Sequence, residues 1–310
     1  TEQGRAFGLA AHQAPDGAQQ GGQLLSHLVH LAPQEQVVAA LAVEEFKEDR
    51  FLFLATRAGK VKRLALGEAA PVASSALQVI GLEEEDVLVG AALTSGQDEV
   101  LLLTQQGKAI RFQEDTVRPQ GRSATGMRGI TLREDEQVVA LVVAREGADL
   151  VLATAQGYAK RTPLSEFPVQ GRGGQGVFAL DASKNKSTGV VIGGMAATDD
   201  QEIMFSTTTG STQRVRASDV PRLERGSWGR LVTKSGRGAV VAVGSGQVAA
   251  MMTPQVEGRP SAEPQSAPRK RGSPAARVQA ATPPDNGGVA TGAKRRSARS
   301  GPAEGAKAGA

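Results

Sequence analysis

The sequence predicts an all-β protein built from repeats of about four strands each. Short aliphatic runs recur along the chain, at 51–54, 100–103, 150–152 and 203–205. A glycine follows each run, as expected for the tight turn of a hairpin, at Gly59, Gly107, Gly157 and Gly210, with Gly4 as the first member of the series. No amphipathic helical stretch interrupts the series. A spacing of roughly 50 residues between these glycines is typical of the blades of a β-propeller.

A second strand is expected about 30 residues after each turn glycine. The signals are pairs or triplets of aliphatic residues, all β-branched except Leu88, at 37–38, 87–89, 138–139, 190–192 and 240–241. Together the two signals predict five visible repeats, approximately 1–49, 50–97, 98–148, 149–199 and 200–252.

The last part of the chain differs in composition and charge from the repeats. Residues 253–310 carry ten Lys or Arg against four acids, a net charge of +6, whereas residues 1–252 carry a net charge of −2. This segment is rich in Pro, Gly, Ala and Ser and has too little apolar surface to offset its ordering entropy. We therefore expect a disordered basic tail at 253–310 and a folded domain at 1–252.

The remaining bulk properties exclude several classes. The chain has no cysteine, so it has no disulfides and no thiolate chemistry, and this fits a cytoplasmic protein. No apolar run approaches the roughly 18–20 residues that a membrane helix needs, so no membrane partner is expected. Because the chain opens on Thr1 rather than Met, we expect a fragment or a processed product.

Four of the five predicted repeats carry an arginine four residues after the turn glycine. In a strand, side chains alternate between faces, so Arg111 points away from Ile110 and Phe112, which can pack inward. Such arginines on successive blades predict a basic line around one edge of the disc; a solvated strand face is the other interpretation. The four positions are Arg63, Arg111, Arg161 and Arg214.

Glycine- and arginine-rich loops recur at a constant distance after three of the turn glycines, ending at Gly126, Gly176 and Gly229. The densest is Gln170-Gly171-Arg172-Gly173-Gly174-Gln175-Gly176. Backbone N–H groups and arginines contact phosphates without reading base sequence, so these loops suit a long anion.

Other types of site are disfavoured. The spacing Gly171-x-Gly173-x-x-Gly176 matches a dinucleotide motif, but no helix is predicted after it and no βαβ unit surrounds it. No phosphate-binding loop for ATP is present in the sequence. His27 and His30 have no evident third metal ligand. We assign no catalytic residue and no metal site.

These motifs resemble the C-terminal β-pinwheel domain in the A subunit of bacterial DNA gyrase and, more distantly, that of topoisomerase IV. The loop at 170–176 resembles the family's box, usually Gln-Arg-Arg-Gly-Gly-Lys-Gly, with Gly171 for the first Arg and Gln175 for Lys. The segments 93–130 and 156–167 are also similar to gyrase blades. The resemblance covers approximately residues 1–250.

The chain departs from the family in three respects. The family normally has six blades with the box in the first, whereas here five are visible and the box-like loop lies in a later one. The family's DNA-cleaving tyrosine lies far upstream, and Tyr158, at a hairpin turn, is not its counterpart. The tail is basic, whereas some family members have an acidic one.

The resemblance implies a domain that binds and wraps double-stranded DNA and presents a segment for ATP-dependent strand passage and negative supercoiling. It implies two partners, the gyrase A catalytic core and the gyrase B subunit, with ATP and Mg²⁺ bound there and no cofactor on this chain. A topoisomerase IV-type domain that selects DNA geometry and a protein-interaction propeller are the alternatives. The expected DNA contacts are Lys60, Lys62, Arg63, Lys108, Arg111, Arg118, Arg122, Arg128, Lys160, Arg161, Arg172, Arg214, Arg216, Arg225 and Arg230.

Overall fold

A computed structural model describes residues 1–14, 24–70, 75–181, 183, 185–233 and 238–245. All of them lie in the first of two units of the chain, Thr1–Gly258, and the second unit, Arg259–Ala310, falls outside them. The predicted boundary at 252 and the predicted disordered tail therefore lie outside the described residues.

The described residues form an all-β fold, which confirms the predicted class. The strands are, in chain order, β1 (Arg5–Ala6), β2 (Phe51–Thr56), β3 (Lys60–Ala65), β4 (Leu77–Gln78), β5 (Leu88–Thr94), β6 (Glu99–Thr104), β7 (Lys108–Gln113), β8 (Met127–Arg128), β9 (Val138–Val143), β10 (Asp149–Thr154), β11 (Tyr158–Pro163), β12 (Val177–Phe178), β13 (Val191–Ala197), β14 (Glu202–Thr207), β15 (Thr212–Arg216), β16 (Arg230–Leu231) and β17 (Val240–Ser245).

Helical structure within these residues is limited to single turns. One α-helical turn spans Asn185–Thr188 and is separated from the glycine-rich loop by β12, so it does not restore a dinucleotide-binding unit. The 3-10 turns are Ala11–Gln13, Leu25–His27, Leu66–Ala69, Glu114–Thr116, Leu164–Glu166 and Ala217–Asp219.

The strands are arranged in sheets of the same topology. Three sheets have four strands, in the orders β5–β2–β3–β8, β9–β6–β7–β12 and β13–β10–β11–β16. A fourth sheet has the order β17–β14–β15, and β1 pairs with β4 alone. The predicted aliphatic runs form β2, β6, β10 and β14, each joined to the next strand by its predicted glycine turn.

The outer strand of each four-stranded sheet comes from the following sequence repeat. β8 pairs with β3, β12 with β7 and β16 with β11, each through two residues, and β4 pairs with β1 in the same way. We call β4, β8, β12 and β16 the exchanged strands. A blade is therefore not the same unit as a sequence repeat, because each repeat completes the sheet before it.

The hydrophobic core lies between successive sheets. One cluster joins Phe53 and Val61 of the first hairpin to Leu102, Ile110 and Phe112 of the second. The ring centroids of Phe53 and Phe112 are 6.4 Å apart. Because the central strands are covered on both faces, their apolar runs are continuous and do not alternate with polar residues.

The first repeat differs from the others. The strand predicted at residues 37–38 is wrong, because neither valine lies in a strand. The residue Glu35, just before this pair, contacts β1 instead, because its carboxylate accepts hydrogen bonds from the side chains of Arg5 and Thr1. Burial raises the pKa of Glu35, but these hydrogen bonds outweigh burial and lower it to about 2. The five predicted repeats thus give four sheets of three or four strands and one two-stranded sheet.

Candidate nucleic-acid interface

The three glycine- and arginine-rich loops lead directly into exchanged strands. Each of these loops, together with the exchanged strand that follows it and the residues directly after that strand, is called an exchanged loop: residues 118–131, 170–180 and 222–233. The glycine before each exchanged strand has a positive φ, +90° at Gly126, +71° at Gly176 and +80° at Gly229. A Cβ at Gly176 would lie only 2.5 Å from the carbonyl oxygen of Ala109. These glycines are therefore required for the loops to approach the receiving strand closely.

Neighbouring exchanged loops are in direct contact. The Gly173 N–H donates to the carbonyl of Gly129 at 2.7 Å, and the Thr131 N–H donates to the carbonyl of Gly174 at 2.8 Å. Arg172 donates from Nη1 to the carbonyl of Arg128 at 3.0 Å. The exchanged loops at 118–131 and 170–180 are thus joined across two sheets.

Buried lysines attach two of the exchanged loops to their receiving sheets. Lys62 is fully buried and its Nζ donates to the carbonyls of Val79, Arg122 and Ala124 at 2.8, 2.8 and 3.2 Å. Its three N–H donors are therefore all satisfied. Burial lowers the pKa of Lys62 to about 8.

Lys160 occupies the same position in its own repeat and has the same role. It is also fully buried, and its Nζ donates to the carbonyls of Glu224 and Arg225 at 2.8 and 2.6 Å. Burial lowers its pKa to about 8 as well. Lys62 and Lys160 were predicted to contact DNA, but both ammonium groups lie inside the domain and bind backbone carbonyls, so neither is part of the candidate interface.

The sheet between these two has Ile110 at the equivalent position and no lysine. Gly174 lies above this isoleucine, since a Cβ added there would be 3.5 Å from its Cδ1. The loop at 170–176 is attached instead by Arg172, which also donates from Nε to the carbonyl of Thr116 at 3.0 Å. The box-like loop is thus bound to its neighbouring loop by an arginine.

The remaining arginines of these loops face solvent. Arg118, Arg122, Arg128 and Arg230 are exposed, and Arg172 and Arg225 are partly exposed. Arg214 and Arg216 of β15 are exposed as well, and they line a cavity of about 650 Å³ together with Arg230. Among described acids, only Glu202 forms an ion pair with this set, 3.9 Å from Arg214. We call these residues the arginine edge: Arg118, Arg122, Arg128, Arg172, Arg214, Arg216, Arg225 and Arg230.

Three repeats of the chain match a known family of domains. Residues 50–95, 98–145 and 148–193 match the family described as "DNA gyrase C-terminal domain, beta-propeller". The repeats at 50–193 belong to this family. The resemblance noted from the loop motifs is thereby confirmed.

Gyrase A proteins are similar to the chain over most of its length. The chain is 36% identical to the DNA gyrase A protein of Klebsiella oxytoca over 236 residues, which are 76% of this chain and 27% of that protein. It is 34% identical to the DNA gyrase A protein of Mycolicibacterium smegmatis over 73% of this chain and 27% of that protein. The chain therefore spans about a quarter of the length of these relatives.

Solved structures of the two related domain types have the same fold. The C-terminal domain of DNA topoisomerase IV superposes with a TM-score of 0.67 and 27% identity over 72% of this chain and 70% of that one. The DNA gyrase A C-terminal domain superposes with a TM-score of 0.70 and 24% identity over 79% of this chain and 80% of that one. The pinwheel is thus shared with both types.

Three of the four arginines that lie four residues after a turn glycine have their side chains between sheets. Arg63 is 8% exposed, with its guanidinium 4.6 Å from the ring centroid of Phe51. Arg111 pairs with Glu99 and donates to the carbonyl of Leu164 at 2.6 Å. Arg161 donates to the carbonyl of Val220 at 3.0 Å.

Arg63, Arg111 and Arg161 were predicted to form a basic line of DNA contacts; their guanidinium groups instead bind groups between the sheets, so they are not part of the arginine edge. Side chains alternate between the two faces of a strand, so these three arginines point away from the inward apolar residues, as predicted. The face toward which they point is not open to solvent, however, because the exchanged loop of the next repeat covers it. In the last sheet, which lacks an exchanged strand among the described residues, Arg214 is exposed.

Two further predicted contacts are engaged with acids. Lys108 is buried, with its Nζ 3.6 Å from Glu136 Oε2. Lys60 is partly exposed and pairs with Glu83. Lys108 is thereby excluded from the candidate interface, and Lys60 lies at a hairpin turn outside the exchanged loops.

The structure adds two residues that the sequence prediction did not include. Arg222 is exposed at the start of its exchanged loop, 2.9 Å from Asp149, which also pairs with Arg161. Trp228 is 43% exposed and its ring centroid lies 6.2 Å from that of Tyr158. The sequence signal for both residues was their place in a predicted glycine- and arginine-rich loop. Its charge did not distinguish Arg222 from the other arginines of that loop.

Within the residues that the structure describes, no group of three His, Asp or Glu side chains is placed to hold a metal ion. No helix in that part of the chain has the length and apolar character needed to cross a membrane.

Proposed function

We propose that residues 1–252 form the DNA-wrapping domain of a gyrase A protein, and that double-stranded DNA lies along the arginine edge. The observation that carries the proposal is the repetition of exposed arginines on exchanged loops of successive sheets. Each loop presents at least one guanidinium without a described acidic partner, as at Arg128 and Arg230. Such an arrangement matches a polyanion that runs from sheet to sheet.

The contacts of this edge suit backbone recognition. Most of its charged groups lie on exchanged loops held by glycines with positive φ, and Arg214 and Arg216 lie on β15, so their spacing follows the sheets and does not adapt to individual bases. Phosphate contacts of this kind position DNA without specifying sequence. Smoothly bending about 20–30 bp by 40–90° costs roughly 1–6 kcal/mol, which several phosphate contacts together offset.

In the whole enzyme, the wrapped DNA would present a second segment to a break made by the gyrase A catalytic core. ATP hydrolysis on the gyrase B subunit, with Mg²⁺ at the catalytic sites, would then drive strand passage and negative supercoiling. This chain would contribute DNA geometry and no catalytic group. Its proposed place is the bacterial cytoplasm, at the nucleoid.

The proposal is tested by DNA affinity as a function of salt. The full chain and residues 1–252 are compared on a DNA duplex, because the basic tail alone can bind DNA. Reversing Arg128, Arg172 and Arg230 to Glu should weaken binding at least tenfold in both forms and reduce the salt slope by about one per lost phosphate contact. Arg133→Glu, an exposed arginine outside the exchanged loops, is the matched control.

Charge reversal at Arg111 and Arg161 is not a suitable test, because both guanidinium groups bind carbonyls between sheets. Unchanged DNA affinity in the triple variant of residues 1–252 would instead favour a protein-interaction propeller.

A topoisomerase IV-type domain is the second candidate, supported by the composition of the box-like loop. Gly171 and Gln175 replace two of the family's basic residues, so this loop has one arginine where the usual box has three basic side chains. A domain of this second type would bind DNA with similar salt dependence and change its linking number little.

A further inference from the structure

Trp228 is an exposed aromatic side chain on the last of the three exchanged loops. It is the only tryptophan of the chain, and it is 43% exposed. Arg225 precedes it by three residues and is partly exposed, and Arg230 follows it by two residues and is exposed. In sequence, the loop thus presents a large apolar ring between two members of the arginine edge.

The fold does not require an aromatic residue at this position. In each exchanged loop, one residue stands directly before the glycine that leads into the exchanged strand. This residue is Thr125 in the first loop, Gln175 in the second and Trp228 in the third, and all three are exposed. Because polar side chains occupy the position in two equivalent loops, the tryptophan is not a core residue that the repeat needs.

The ring of Tyr158 supports the tryptophan ring. The two ring centroids are 6.2 Å apart, with an angle of 40° between the ring planes. Tyr158 directly follows its turn glycine, where the two equivalent hairpins have Lys60 and Lys108. Aromatic residues thus replace polar ones at two positions of the same sheet. A ring that already packs on another ring loses little conformational freedom when it contacts a ligand.

Leu231 enlarges the apolar surface around the two rings. It pairs directly with Tyr158 across β16 and β11, and it is 52% exposed. Directly opposite side chains of antiparallel strands lie on the same face of the sheet. The surrounding loop is basic, since residues 222–230 contain three arginines and one acid, Glu224. An apolar patch in a basic loop suits a ligand that has an anionic exterior and an apolar interior, as duplex DNA has.

A duplex that follows the arginine edge has to bend as it passes from sheet to sheet. Smooth bending has an elastic cost, whereas an apolar side chain wedged between two base pairs concentrates the bend at one step. Pyrimidine–purine steps such as TpA are the easiest to unstack. A wedge would therefore favour particular steps, although the arginines of the edge contact phosphates without reading base sequence.

We propose that Trp228 inserts between adjacent base pairs of the bound duplex as a wedge, preferentially at a TpA step. The inference rests on the proposed DNA-wrapping function and adds to it a residue that selects the DNA sequence. Tyr158 would position the ring, and Arg225 and Arg230 would bind phosphates next to the opened step.

Because Trp228 is the only tryptophan, its contact with DNA can be measured directly in the full chain. Two duplexes of about 30 bp are compared, one with a central TpA step and one with this step reversed to ApT. Purines precede the step and pyrimidines follow it on the same strand, so the ApT duplex has no pyrimidine–purine step and the same base composition. One titration records both the anisotropy of a dye on the DNA and the tryptophan fluorescence.

Two substitutions of Trp228 separate insertion from other roles of the side chain. Trp228→Gln places there the residue that the equivalent position has at Gln175, and Trp228→Phe keeps a ring. Arg128→Glu is the matched control, because the loss of a phosphate contact weakens binding to both duplexes by the same factor. Circular dichroism verifies that each variant keeps the sheet content of the parent chain.

The parent chain should bind the TpA duplex about threefold or more tightly than the ApT duplex, and saturation should quench its tryptophan fluorescence by about half or more. Trp228→Gln should bind the two duplexes equally, and Trp228→Phe should keep a preference for TpA. Arg128→Glu should bind both more weakly with an unchanged ratio.

The outcomes distinguish failure of the wedge from failure of the proposed function. Saturated, salt-dependent binding with unchanged tryptophan fluorescence would overturn the wedge, leave the arginine edge in place and favour a protein contact at Trp228. The same affinity ratio in the parent chain and in Trp228→Gln would also overturn the wedge alone. Unchanged fluorescence together with full DNA affinity in Arg128→Glu would overturn the DNA contact of the edge and, with it, the wedge.

Discussion

Arg172 donates a hydrogen bond from Nη1 to the carbonyl oxygen of Arg128, 3.0 Å away, and so joins the exchanged loops of two successive repeats. This contact connects the box-like loop to the surface before it. The alignment of the two neighbouring exchanged loops is thus maintained by a residue that also contributes charge to the arginine edge.

We predict that Arg172→Lys will weaken DNA binding although the charge is kept. A lysine has no planar fork and cannot reach the carbonyls of Arg128 and Thr116 together in the same geometry. DNA affinity should fall several-fold and the fitted DNA bend angle should decrease, as measured by titration and energy transfer on an end-labelled duplex. Arg118→Lys, an exposed residue with no described carbonyl contact, should leave both unchanged. Equal effects at the two positions would contradict the positioning role.

We predict that Gly176→Ala is destabilising and Gly171→Ala is not. At Gly176 the backbone has a positive φ and a Cβ would meet the Ala109 carbonyl at 2.5 Å, whereas nothing lies within 4 Å of a Cβ at Gly171. The first change should lower the free energy of unfolding by about 1–3 kcal/mol and the second by less than about 0.5 kcal/mol. Urea unfolding measures both, and similar losses at the two glycines would refute the close approach of this loop.

We predict that Lys160→Met lowers the free energy of unfolding. The carbonyls of Glu224 and Arg225 would lose their donor, and leaving buried acceptors unpaired costs about 1–3 kcal/mol. Lys60→Met is the control, because its ammonium group is partly exposed and pairs with an exposed acid. A loss at Lys160 no larger than at Lys60 would show that the ammonium does not attach the exchanged loop.

We predict a rise in stability between pH 8 and pH 10. Burial lowers the pKa of Lys62 and Lys160 from 10.5 to about 8, so the folded protein releases these protons before the unfolded chain does. The unfolded state then binds more protons, and the free energy of unfolding rises with pH in this window. The expected gain is on the order of 1 kcal/mol per lysine.

The double variant Lys62→Met/Lys160→Met isolates that effect. Its free energy of unfolding should lack the rise, whereas the parent chain and Lys60→Met should show it in urea titrations at the two pH values. The same pH dependence in all three proteins would exclude the buried lysines as its source.

The parts of the fold that depend only on residues adjacent in the sequence were predictable from the sequence. A buried aliphatic run followed by a glycine specifies a hairpin locally, and Gly59, Gly107, Gly157 and Gly210 each lie at such a turn. The period of these turns indicated the all-β class. The pair Val37-Val38 shows the limit, since a strand also needs a neighbouring strand to pair with.

The candidate site was only partly predictable, because strand exchange is a long-range effect. Lys62 and Arg122 are 60 residues apart in sequence, yet the loop that contains Arg122 buries Lys62. Alternation along the strand predicted that Arg111 and Arg161 leave the apolar face, but nothing local indicates that the next repeat covers the other face. The loop arginines, which were predicted as DNA contacts, are exposed or partly exposed, because many glycines and few apolar residues keep these loops on the surface.

DNA wrapping along the arginine edge changes the linking number of the bound DNA, which a ligation assay measures. Nicked circular DNA is incubated with increasing amounts of the full chain or of residues 1–252, ligated, freed of protein and resolved by gel electrophoresis. We expect a shift of the topoisomer distribution with one sign, which grows with protein, decreases with salt and is lost in Arg128→Glu/Arg172→Glu/Arg230→Glu but kept in Arg133→Glu. Saturated DNA binding by residues 1–252 with an unchanged topoisomer distribution would contradict it.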